Sequence, residues 1–313
     1  MFLRTVLFSV TLSLVFLLGT DQTDAKTILN APHIQQKPEL PRGCEVTSLA
    51  MLLQHAGVKV DKMTLAKQIK KVPFKQNGLY GNPFEGFVGD MYTFKKSGYG
   101  VYYPPIYELA QKYIQDRAVN LSGKDIKTIY QFIDRGSPVW VIVNAKFQKL
   151  PSSEFRIWNT KRGKISITYW EHSVLITGYD ERYVYVNDPS YPRKNRAVNR
   201  KNFETAWIQM GKQAITYLPK TDWKKELKSG QIGKITVLKP IKLWRKNKAG
   251  QLEFVRTLQP YETYRVYGYS GANGGQYDLG NGLCIINIPP GYMKYETPPK
   301  ELLTKYTVIK SSL

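Results

Sequence analysis

From Cys44 onward, apolar side chains recur at Leu49, Leu52, Leu53 and Ala56, spaced i, i+3, i+4 and i+7. That is the repeat of an amphipathic helix. Gly43 stands just before the run, so Cys44 opens the helix rather than sitting inside it. A second helix is predicted over about residues 58–72, where Met63, Leu65, Ile69 and Val72 are apolar. Ile106–Tyr113 predicts a third, and Lys124–Arg135 a fourth, stopped by Gly136. Between them, Asn77–Tyr92 is dense in Gly, Pro and aromatic residues. It predicts an ordered loop, either lining a cleft or tucked beneath the domain. The pattern then changes. Pro138–Asn144 is almost continuously apolar, as a central strand is. Glu171–Gly178 and Arg182–Pro189 flank the polar corner Tyr179-Asp180-Glu181 and predict a β-hairpin. Helices first and strands second give an α+β class.

Past about residue 220 the character shifts again. Thr221–Lys234 is rich in Lys, Gly and polar residues and predicts a linker. Ile235–Leu238, Ile241–Trp244, Thr263–Tyr267 and Cys284–Ile286 are short β-rich runs, punctuated by turn signals at Ala272–Gly275 and Gly280–Gly282. They predict a small β-barrel. At the other end, Met1–Ala25 carries Arg4, the apolar run Thr5–Leu18 and a polar stretch ending in a small residue. This is the order of a secretory signal peptide, and its apolar run is short for spanning a bilayer. The expected organisation is therefore a signal peptide at 1–25, a first domain at 26–220, a linker at 221–234 and an all-β domain at 235–313.

Charge and cysteine content narrow the chemistry. Lys and Arg number 46 against 24 Asp and Glu, a formal charge of +22. A secreted chain with that excess is drawn to polyanions such as cell-wall polymers, anionic lipids or nucleic acid. Two cysteines raise the question of a disulfide. Cys284 lies in an apolar run, Leu283-Cys284-Ile285-Ile286, and reads as a core residue, so a Cys44–Cys284 bridge is not expected. Cys44 stands where the unpaired N–H groups and dipole of a helix N-terminus favour an anion. The thiol is therefore expected to ionise more readily than a free cysteine and to serve as a nucleophile.

A nucleophile needs a base and a group to orient it. The chain has three histidines, His33, His55 and His172. His55 lies about three helical turns beyond Cys44, roughly 16 Å at 1.5 Å per residue. His172 begins the first arm of the hairpin. If the hairpin folds symmetrically about Asp180, His172 faces Asp188; a register shifted by one residue favours Asn187 instead. No zinc-ligand spacing or Gly-rich phosphate loop is present, and no cofactor or metal is expected.

These segments carry a resemblance. Pro38–Met51, Glu171–Tyr179 and Val186–Pro189 resemble the nucleophile, base and orienting segments of the bacteriocin-processing-type cysteine peptidases, nearest to a secreted, papain-like subfamily of Gram-positive bacteria. Gly89-Asp90 with Gly98–Tyr102 resembles that family's middle loop, and Phe203–Trp207 with Gly211 and Ala214-Ile215 its closing segment. The likeness covers about residues 28–220. It implies a papain-like fold, with Cys44 as nucleophile, His172 as base, Asp188 holding the imidazole, and a glutamine before the cysteine binding the oxyanion. Gln35 and Gln36 both qualify, Gln36 standing where that glutamine is expected, although the family's peptidases place it nearer the cysteine. Gly274–Gly282 resembles part of the bacterial SH3-like wall-targeting modules. There Arg245, Lys246, Tyr264, Arg265, Tyr267 and Tyr269 would form a platform for an anionic glycopolymer, or the aromatics would instead build the core. The resemblance thus implies a wall-associated thiol protease, a hydrolase of peptide bonds. Two other readings are a wall-binding protein that has lost turnover and a basic nucleic-acid binder, although no specific nucleic acid is expected as partner.

Overall fold

A computed structural model of the chain describes residues 27–303. The segment read as a signal peptide lies outside the described residues. Among the described residues, no helix is long and apolar enough to cross a membrane. The chain divides after Pro219 into two compact units.

The first unit is built on helices α1 (Cys44–His55), α2 (Lys62–Gln68), α3 (Tyr103–Ile114), α4 (Ile126–Asp134) and α5 (Arg200–Gln209). Its central sheet has seven strands: β1 (Thr27–Ile28), β2 (Ala118–Asn120), β3 (Val139–Asn144), β4 (Glu171–Tyr179), β5 (Tyr183–Asn187), β6 (Arg196–Asn199) and β7 (Ala214–Tyr217). Their order is β6-β5-β4-β3-β7-β2, every pairing is antiparallel, and β1 adds to the end of β4. The mixed α and β content fits the expected class.

The apolar run predicted as a central strand is β3, and all six of its residues are buried. It lies between β4 and β7, and helices α1, α4 and α5 pack against it. Helix α1 departs from the expected amphipathic pattern: Cys44 through Leu53 are all buried. The helix packs on β3 and β4 and is covered by α2 and α3, so no face of its first three turns meets solvent. Polar residues at Glu45, Thr47 and Ser48 are buried with it, which singles out this end of the helix.

Helix α2 is shorter than its periodicity predicted. The Asp61 side chain caps it by accepting from the Thr64 amide at 2.8 Å, which fixes its start. Val72 leaves the helix to pair in parallel with Val88. Helix α3 starts early because Pro104 and Pro105 occupy its first turn, where a missing N–H is harmless. The aromatic-rich loop is tucked in at its far end: Phe87, Val88 and Met91 are fully buried. Gly89 makes this fit, since its φ is +79° and a Cβ there would stand 2.4 Å from the Ser97 carbonyl oxygen.

The second unit begins with a one-turn helix, Trp223–Glu226, where a linker was expected, and Lys234 pairs with Glu226 at 2.8 Å across that segment. Eight strands follow: β8 (Gly233–Val237), β9 (Ile241–Lys246), β10 (Leu252–Leu258), β11 (Thr263–Val266), β12 (Gly268–Ser270), β13 (Gln276–Gly280), β14 (Leu283–Ile286) and β15 (Met293–Glu296). They form two antiparallel sheets, β11-β8-β15 and β10-β9-β14-β13-β12. Ile235, Val237, Leu243, Leu258, Val266 and Ile285 pack in their shared core. The all-β character agrees with expectation, but among the described residues the strands form two sheets and no closed barrel. Both cysteines are free and buried, so no bridge joins Cys44 to Cys284.

Candidate active site

Cys44 is the first residue of α1, with Gly43 as its cap residue and no side-chain cap. Gly43 is forced by packing: a Cβ there would lie 2.6 Å from the Cβ of Leu40. His172 is the second residue of β4, paired with Val143 of β3. A cleft of about 320 Å³ is lined by both, together with Gln36, Arg42, Phe94, Tyr99, Tyr169, Glu171 and Ser190. A hollow of about 420 Å³ elsewhere on the same unit shares none of these residues and is lined by Phe84, Tyr103, Phe155 and Met210 among others.

The imidazole meets a carboxylate. His172 Nε2 lies 2.7 Å from Asp188 Oδ1. The hairpin register is not the symmetric one expected, however. Leu175 pairs with Asn187 and Ile176 with Val186, followed by a bulge before Gly178. Continued by one residue, this register sets Asp188 opposite Val174, so His172 reaches it diagonally along the same face of the sheet. Asn187 turns elsewhere: its Nδ2 donates to the carbonyls of Ala31 and Pro32, and its Oδ1 accepts from the Asn195 amide. Its amide ties down the segment after β1.

Asp188 is held by more than the histidine. Its Oδ1 also accepts from the Ser190 amide at 2.9 Å, and its Oδ2 accepts from Arg196 Nη1 at 2.7 Å. The Arg196 guanidinium lies between the rings of Phe147 and Tyr191, 4.9 and 4.8 Å from their centres. Burial pushes the Asp188 carboxyl up, but His172, the Ser190 amide and Arg196 outweigh it and hold it down at about 2. Arg196 went unread in the sequence because it follows the polar stretch Ser190–Asn195, which has no periodicity to place it.

A depressed carboxyl contributes stability that is full above its unfolded value and is lost as pH falls through the folded one. Here that window runs from 3.8 down to about 2. Replacing Arg196 by Gln is therefore expected to move acid unfolding to higher pH. A circular-dichroism acid titration reads this, and an unmoved midpoint means His172 and Ser190 hold Asp188 unaided.

Gln36 is buried in the same cleft, whereas Gln35 is exposed. Its Nε2 donates to the carbonyls of Pro41 and Leu40 at 2.8 and 3.3 Å, and its Oε1 accepts from Ser190 Oγ at 3.0 Å. The amide is thus occupied with main-chain carbonyls. His33 Nε2 lies 3.1 Å from the Asp188 carbonyl, and His55 bonds to Tyr217, so neither offers a second base.

The surroundings of the thiol act against the pull of the helix terminus. Cys44 is pushed well above the ordinary thiol range, first by burial and then by the neighbouring Glu45 and Glu171, against a lowering contact from the Ser173 main chain. The dipole of a helix end is a fraction of a charge, and desolvation beside two acids outweighs it. The Cys44 sulfur and a carboxyl oxygen from each of Glu45 and Glu171 all lie within 4.8 Å of one another.

The protein is 52% identical over 179 residues to YvpB, an uncharacterised protein of Bacillus subtilis strain 168, covering 57% of this chain and 70% of that one. A crystal structure of a candidate C39-like peptidase from Bacillus anthracis aligns with a TM-score of 0.63 at 54% identity, covering 64% of this chain and all of that one. The pattern of the Peptidase_C39 like family matches residues 28–215, more than half of the chain. With a helix-opening cysteine and a carboxylate-held histidine lining one cleft inside that span, this chain belongs to the Peptidase_C39-like family.

Proposed function

We propose that this chain is a secreted cysteine peptidase that hydrolyses peptide bonds through Cys44, His172 and Asp188, in the manner of the papain-like Gram-positive subfamily. The observation that carries the reading is the buried His172–Asp188 pair in the cleft that holds the thiol. With Nε2 engaged by Asp188, Nδ1 is the nitrogen left to take the thiol proton. The sulfur attacks the carbonyl carbon, the C=O electrons move to oxygen, and the imidazolium forms against the Asp188 charge. The oxyanion sits beside the first-turn amides of α1, which have no intrahelical acceptor. Gln36 joins them if its Nε2 leaves the Pro41 carbonyl. His172 then protonates the leaving amine, and water releases the acyl group.

The second unit is proposed to hold the enzyme at the wall, in the role of an SH3-like module. Tyr264, Arg265 and Tyr267 line a cleft of about 430 Å³ with Leu279, Gly280 and Asn281, and a basic and aromatic floor suits an anionic glycopolymer. Tyr269, also expected there, is exposed and packs on Tyr277 instead.

A peptide-library digest comparing wild type with Cys44→Ala tests the catalytic reading: cleavage by wild type that vanishes in the variant is expected. Cleavage that survives the substitution means that Cys44 is not the nucleophile, and none from wild type leaves a wall-binding protein without turnover as the better account. That second reading draws on the occupied Gln36 amide. Binding of the Lys220–Leu313 region's full-length parent to purified wall, lost on Arg265→Ala with Tyr267→Ala, tests the anchoring.

A further inference from the structure

The hydrogen bond made by the Cys44 thiol goes to a carboxylate, Glu45 Oε2, at 3.4 Å. Glu45 is fully buried, and two contacts fix it in place. Its Oε1 accepts from the Val101 amide at 2.7 Å, and its main-chain carbonyl accepts from the Trp140 indole at 2.9 Å. Glu171 comes from the start of β4, and its Oε1 is buried without a hydrogen-bond partner. Gly100 closes over both acids. A Cβ there would stand 2.5 Å from Glu45 Oε1 and 2.8 Å from Glu171 Oε2, so only glycine lets the two carboxyl groups share this space.

Two carboxyl groups this close in a water-poor pocket do not both ionise readily, and a thiolate beside them would add a third negative charge. We propose that Glu45 and Glu171 are positioning residues for the nucleophile: a carboxyl pair that retains one proton and keeps Cys44 a hydrogen-bonded thiol in the resting protein. The proton then leaves sulfur for His172 Nδ1 only as the S–C bond forms and the carbonyl electrons move to oxygen. That last step rests on the peptidase reading; the resting thiol does not.

Burial pushes Glu45 up to about 7 and Glu171 well above the carboxylate range, Glu171 being raised further by Glu45. Other titratable or charged groups face the same cleft. His172, backed by Asp188, comes from β4, and Arg42, which bonds the carbonyls of Asp90 and Thr93, precedes α1. Tyr169 precedes β4. Tyr99 and Tyr102 precede α3, share a 2.9 Å bond between their hydroxyls, and are themselves raised by burial and by these acids.

The test is the rate of Cys44 alkylation by iodoacetamide against pH, read by peptide mass spectrometry so that Cys284 is scored separately. Wild type is expected to alkylate Cys44 with an alkaline midpoint. Glu171→Gln or Glu45→Gln is expected to lower it by at least one pH unit, about a tenfold faster reaction at pH 7. A wild-type midpoint below pH 7, which needs no variant to fold, overturns the proposal, and so do two folded variants with the wild-type midpoint. Peptide cleavage assayed in parallel separates the two ideas. A shifted midpoint without cleavage sinks the peptidase reading alone, and cleavage with an unmoved midpoint sinks this one alone.

Discussion

His172→Ala is expected to lower kcat/KM on a cleaved peptide by roughly 10⁴–10⁶-fold, the range seen when a nucleophile's base is removed from a working triad. The loss belongs at the upper end here, for a reason specific to this cleft. Where a thiolate already exists at rest, some nucleophilicity survives loss of the base. On the proposal that Cys44, buried beside Glu45 and Glu171, rests as a thiol, attack needs an acceptor for its proton at that moment. Neither His33 nor His55 can substitute, since one bonds to the Asp188 carbonyl and the other to Tyr217. The double variant with Cys44→Ala is expected to lose no more than either single change, because the two act as a unit. A loss under tenfold in a folded His172→Ala protein would show that the imidazole is not the base.

The largest effect on stability is expected at Trp140. It is fully buried at the middle of the central sheet, and it joins the core to the N-terminal end of α1 through its bond to the Glu45 carbonyl. Trp140→Ala leaves a cavity and an unpaired acceptor, a loss of about 3–5 kcal/mol. For a unit of this size each kcal/mol moves Tm by roughly 2–4 °C, so the midpoint should fall by roughly 6–20 °C. Trp140→Phe keeps most of the volume and loses the indole N–H, and should recover more than half of the difference. Urea unfolding of the three proteins reads both effects; a cost under about 1 kcal/mol for the alanine variant would mean the core closes over the gap.

Several features were legible in the chain because they are local. The spacing of Leu49, Leu52, Leu53 and Ala56 placed Cys44 at a helix start, and the unbroken apolar run at Val139–Val143 marked the strand at the heart of the sheet. The hairpin was legible as well, but its register was not. A bulge between Ile176 and Gly178 offsets the two arms, and apolar alternation carries no sign of it. In the second unit Leu252–Leu258 escaped notice because five of its seven residues are polar or exposed on an outer strand, which leaves almost no buried face to read.

The chain's order of residue types placed, without coordinates, one cysteine at the head of a helix, one histidine on a hairpin with Asp188 or Asn187 as its partner, and a basic surplus over the whole length. Only the folded form showed which charged groups surround that cysteine. Proton affinity depends on lost water and on charges acting through space; Glu171 acts on Cys44, and Gly100 covers the carboxyl groups of Glu45 and Glu171, from segments far away along the backbone. Periodicity reports what a residue's chain neighbours do; it is silent on what the fold brings alongside.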